Sequence, residues 1–112
     1  MSTRRVQKVS ELLIQQVSEL IRERISDEFG MITVTAVNVT DDLREARVFF
    51  SCLDESKQKE VLSALEAKTK EFQHILGRRL SMKFTPKLSF RIDEGLEKVN
   101  RIEELLEGIV EK

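Results

Sequence analysis

An α+β domain, with helices packed on one face of a small three-stranded sheet, is predicted by three features of this 112-residue sequence. Apolar spacing switches between three-to-four and two along the chain, in the order helix, strand, strand, long helical segment, strand, helix. The 40% hydrophobic content suits one compact core at this length. Turn-forming clusters separate the periodic stretches, and no repeat, linker or low-complexity segment interrupts them, so residues 1–112 read as one domain.

From Arg4 to Glu28, Val6, Val9, Leu13, Val17, Leu20 and Ile21 recur on one side of a helix, with Ser2 or Thr3 as its cap and Gly30 as its exit. Met31 to Thr40 is rich in β-branched residues, and its alternation changes phase near Ala36, which predicts a strand with a bulge there. Thr40, Asp41 and Asp42 make a turn, after which Ala46, Val48, Phe50 and Cys52 alternate as a second, antiparallel strand. Helical spacing returns from Ser56 to Leu80 through Leu62, Leu65, Thr69, Phe72, Leu76 and Leu80. Met82, Phe84, Leu88, Phe90 and Ile92 then read as a third strand interrupted by Pro86, which marks an edge or an irregular start. A final helix is expected from about Leu96 to Val110. With no Trp or Tyr, the six Phe are expected to supply most of the bulky packing.

Composition argues against several functions. Cys52 is the single cysteine, so no internal disulfide or thiolate metal site is expected; it reads as a small buried hydrophobe in a reducing, cytoplasmic setting. No apolar run is long enough for a signal peptide or a membrane span. His74, the only histidine, falls opposite the buried stripe of its helix, and the four glycines are isolated, so neither a nucleophile–base pair nor a phosphate-cradling loop is present. An enzyme is not expected, nor are a cofactor, a small-molecule substrate or a metal.

Charge is uneven. The net formal charge is −1, yet Ser56 to Arg91 holds nine cations against three anions. On a helical wheel centred on Leu65, Lys59, Lys70 and Arg78 fall on the far side, with Lys68 and Arg79 on the flank. Any one of these is an ordinary solvated residue, but their concentration in one third of an acidic chain points to phosphate binding. The competing reading is a protein-interaction module using the acidic last helix and the apolar sheet face.

Five stretches carry a family resemblance: Arg5-Val6 and its helix, Thr40-Asp41-Asp42-Leu43, Ala46-Arg47-Val48-Phe49-Phe50-Ser51, Leu76-Gly77-Arg78-Arg79-Leu80 and Thr85-Pro86-Lys87-Leu88-Ser89-Phe90. In this order and spacing they resemble ribosome-binding factor A. The resemblance implies a KH-like domain of the second topological type, with two helices meeting at a kink over a three-stranded sheet and an additional C-terminal helix. It further implies a factor, monomeric when free, that binds the immature small (30S) ribosomal subunit and its 16S rRNA in late assembly and rRNA processing and matters in the cold. Under that reading Lys68, Lys70, Arg78, Arg79 and Lys83 are the candidate RNA contacts, with Arg4, Arg5 and Lys8 as additional ones.

The sequence departs from the family at the kink, where Lys68-Thr69-Lys70 stands in place of the usual Ala-x-Gly. Either Thr69 caps a second helix and the kink survives, or the segment runs straighter. The two lysines are then either plain surface residues or phosphate contacts at a helix start.

Overall fold

A computed structural model describes residues 3–93. The helix expected near the C-terminus lies outside the described residues. Helix α1 spans Thr3–Arg24, strands β1 and β2 span Ile32–Val39 and Glu45–Cys52, helices α2 and α3 span Gln58–Ala67 and Thr69–Leu80, and strand β3 spans Lys87–Ile92. This is the helix-strand-strand-helix-kink-helix-strand order of a type II KH-like domain. The sheet runs β1-β2-β3. Strand β2 pairs antiparallel with β1 and parallel with β3, and the parallel pair requires the long crossover that α2 and α3 supply.

Strand β2 is central and half-buried, as its alternation predicts. Ala46, Val48 and Phe50 are fully buried, and they meet Leu13, Val17 and Leu20 of α1, Val61 and Leu65 of α2, and Phe72 and Leu76 of α3 in one core. The bulge falls where the phase change placed it: Val34 faces Phe50 and Ala36 faces Phe49, leaving Thr35 as the extra residue. The hydroxyl of Thr35 donates to the Asp93 carboxylate at 2.5 Å, with the Phe49 carbonyl 3.3 Å away.

The long helical segment breaks at Lys68 (φ −100°, ψ 2°), a conformation open to any L-residue, so glycine is not required. The Lys68 amide donates to the Leu65 carbonyl at 3.1 Å, a tightened turn, and α3 starts with the Phe72 amide donating to Lys68 at 2.9 Å. Thr69 does not cap α3. Its hydroxyl donates backward to the Leu65 carbonyl at 3.1 Å, where the Thr69 amide would bond in an unbroken helix. Thr69→Val removes that hydroxyl at nearly constant shape. We expect a loss of about 0.5–1.5 kcal/mol in denaturant unfolding, with the break retained.

Five further expectations are corrected. Helix α1 ends at Arg24, four residues short of Glu28, because Ser26 starts a separate 3-10 turn over Asp27–Phe29 by accepting the Glu28 amide at 3.2 Å. Gly30, at φ 72°, closes that turn and not the helix. Met82 and Phe84 are not in a strand: left-handed Ser81 ends α3, and β2 begins only at Glu45, opposite Lys87, so residues ahead of Lys87 have no ladder partner. Pro86 is buried immediately before β3, where its missing amide costs nothing, and the Lys87 amide donates to Arg44 at 2.8 Å. Phe84 takes no part in the core, being 77% exposed. Finally, the apolar sheet face proposed for protein docking is the one the helices cover; the open face is mostly polar, presenting Thr33, Asn38, Arg47, Ser51, Ser89 and Arg91 around Ala36 and a partly exposed Phe49.

Candidate nucleic-acid interface

The sequence-predicted cations fall into three settings. Lys70 and Arg78 are exposed on α3 and meet no carboxylate among the described residues. Standing eight residues apart on one helix, they are separated by about 12 Å along its axis. Lys59, from the same wheel, is likewise exposed on α2.

Lys68 and Arg79 are held by neighbours. The Lys68 ammonium lies 3.6 Å from Glu71, which also receives Arg24 of α1 at 2.7 Å. The Arg79 guanidinium reaches Glu23 at 3.2 Å, Gln16 at 3.4 Å and Glu19 at 3.9 Å, so it ties α3 to α1. Both are partly exposed pairs of the kind that contributes only a few tenths of a kcal/mol to about 1 kcal/mol. A polyanion therefore competes for them at small cost.

Arg5 and Lys83 are brought together by the fold. They line a groove of about 800 Å³ between the start of α1, the β1–β2 turn and the loop after α3. Arg44, which the count of charges along the chain missed, lines it too. No window of sequence finds such a residue, because Arg5, Arg44 and Lys83 meet only in three dimensions. Arg4 and Lys8 are exposed on the first turns of α1.

The turn that presents Arg44 is built from its own side chains. Asp42 accepts the Thr40 hydroxyl at 2.7 Å and the Arg44 amide at 3.1 Å. These two bonds, the hydroxyl first, hold the Asp42 carboxyl below its ordinary range. The Leu43 amide donates to the Thr40 carbonyl at 2.8 Å, and Leu43 itself takes the left-handed φ of 60° that turns the chain into β2.

The loop on the opposite wall packs closely against Gly77. A Cβ there would stand 2.7 Å from the Thr85 hydroxyl oxygen, so the missing side chain is what lets the loop lie against α3. Left-handed Ser81 on one side and buried Pro86 on the other set its ends.

Other candidate chemistry is spent on structure. Cys52 is buried, and that burial pushes its thiol pKa up, away from the thiolate a nucleophile needs. His74 is exposed on α3. Among the described residues no three of His, Cys, Asp and Glu gather as a metal site, and no helix is long and apolar enough to cross a membrane.

The family model for ribosome-binding factor A matches residues 5–106. The chain belongs to the ribosome-binding factor A family. It is 36% identical to the ribosome-binding factor A of Coxiella burnetii over 98% of this chain and 93% of that one. It is 38% identical to that of Halothermothrix orenii over 100% and 93%. In fold it is similar to the crystal structure of ribosome-binding factor A from Thermus thermophilus, with a TM-score of 0.70 at 23% identity over 78% of this chain and 94% of that one. A Thermus thermophilus ribosome-binding factor A homology model fitted into a cryo-EM map of a complex with the 30S subunit gives a TM-score of 0.64 at 24% identity, over 73% and 88%. In this chain the break between α2 and α3 is made by the Lys68 turn and the backward-bonded Thr69 hydroxyl.

Proposed function

We propose that this chain is a cytoplasmic ribosome-binding factor that acts as a single KH-like domain on the immature small ribosomal subunit. On this reading it contacts 16S rRNA during late assembly and rRNA processing, catalyses no reaction itself, is monomeric when free, and is important in the cold. Membership of the ribosome-binding factor A family carries the reading, supported by the fold relative fitted into a 30S complex. The physical support is a set of exposed cations without carboxylate partners among the described residues, Lys70 and Arg78 on α3 and Arg4, Arg5 and Lys8 on α1, together with Lys83. Lys68 and Arg79 join the set by exchanging their present carboxylates for phosphates.

Sedimentation of the purified protein with small subunits from its own source tests this. The protein is expected to travel with immature particles and to be lost from mature ones. Equal retention on both, or on neither, would count against an assembly role.

A further inference from the structure

Phe84 is an open aromatic ring in a chain that buries Phe50, Phe72 and Phe90. It is 77% exposed, and its loop is bounded by the left-handed Ser81 that ends α3 and by buried Pro86, with Thr85 lying close against Gly77. The ring lines the 800 Å³ groove with Arg5, Arg44 and Lys83. The Lys83 ammonium stands 5.8 Å from the ring centroid. Among the described residues the groove's one carboxylate, Asp42, is already engaged by the Thr40 hydroxyl, and its nearest cation contact is Arg44 at 3.8 Å.

We infer that this groove holds one unpaired nucleotide of RNA, with its base stacked on Phe84 and the adjoining phosphates met by Arg5, Lys83 and Arg44. An exposed ring offers every base a π-face, and cations beside it track the backbone, which is the pairing that single-strand binding requires. An apolar protein segment would bury the ring equally well, but three cations around it are complementary to a polyanion. The inference rests on the proposed contact with rRNA and adds an unstacked nucleotide to a surface otherwise limited to phosphates. It also locates the contact away from Lys70 on α3.

Binding of the full-length protein to immature small subunits, and to a single-stranded RNA of about ten nucleotides, tests it. Phe84→Ala is expected to weaken both about five- to one-hundredfold, the range one base–aromatic stack carries, with the salt slope unchanged because no phosphate contact is lost. Phe84→Tyr keeps the ring and should bind like the parent. Phe84→Leu keeps apolar area without a ring and should resemble the alanine variant. Full rescue by leucine, or weakened subunit binding with unchanged binding to the RNA strand, would overturn stacking in favour of an apolar protein contact. Unchanged subunit binding by Phe84→Ala, alongside a loss in a Lys70→Glu/Arg78→Glu variant, would overturn the stacking site and leave rRNA contact standing. Parent-like binding by all of these variants would remove both.

Discussion

Exchanging Lys70 and Arg78 together for Glu should reduce affinity for immature small subunits about ten- to one-hundredfold near physiological salt. Each phosphate contact contributes about 0.7 to 0.9 to the slope of log affinity against log salt, so losing two lowers that slope by about 1.4 to 1.8. At 0.15 M salt this alone is worth more than tenfold, and reversal adds repulsion. Both side chains are exposed and meet no carboxylate among the described residues, so the fold should be spared. An unchanged melting temperature alongside lost binding is the expected pair of results. The same exchange at Arg79 would be a poorer test, since its guanidinium reaches Glu19 and Glu23 and its loss also loosens α1 from α3.

The largest stability effect is expected at Phe72. Its side chain is fully buried in the first turn of α3 and meets Phe90 of β3 edge-to-face, with centroids 6.2 Å apart and planes at 75°. Phe72→Ala should cost about 3–5 kcal/mol, against a total stability for a domain of about 5–15 kcal/mol. Phe84→Ala, although chemically the same substitution, should change stability by less than about 0.5 kcal/mol, because that ring is already in solvent. Urea unfolding of the two variants side by side checks the assignment of one phenylalanine to the core and the other to a surface role.

Period alone made most of this fold readable. Leu13, Val17 and Leu20 on α1 and Ala46, Val48 and Phe50 on β2 are buried as their spacing requires, and the phase slip near Ala36 announced the bulge at Thr35. Period failed where the backbone is set by contacts distant in sequence. Met82 and Phe84 alternate like a strand, but alternation cannot report that β2 offers no partner before Lys87. A break near Thr69 was one of the two readings the sequence allowed, yet its chemistry was not legible, because a threonine reads the same whether its hydroxyl bonds forward as a cap or backward to Leu65.

The candidate site was legible by halves. Lys70 and Arg78 could be placed on the open face of α3 from a helical wheel, since regular geometry fixes their direction. The wheel put Lys68 and Arg79 on the flank but could not supply their carboxylate partners, because these depend on how α1 lies on α3 and on which rotamer Glu71 adopts. Arg44 was invisible for the same reason. Its place beside Arg5 and Lys83 is a property of the closed hairpin, with Asp42 and Thr40 holding the turn.

The salt dependence of binding to immature small subunits bears most directly on the claim that this domain grips rRNA through its cations. If Lys70, Arg78, Arg5 and Lys83 each meet a phosphate, the logarithm of affinity should fall with the logarithm of salt concentration with a slope of about −3 or steeper. Removal of Lys70 and Arg78 should bring it toward half that value. A nearly flat dependence, with affinity retained at high salt in the parent and the variant alike, would contradict the account and mean that the subunit is held by apolar contacts.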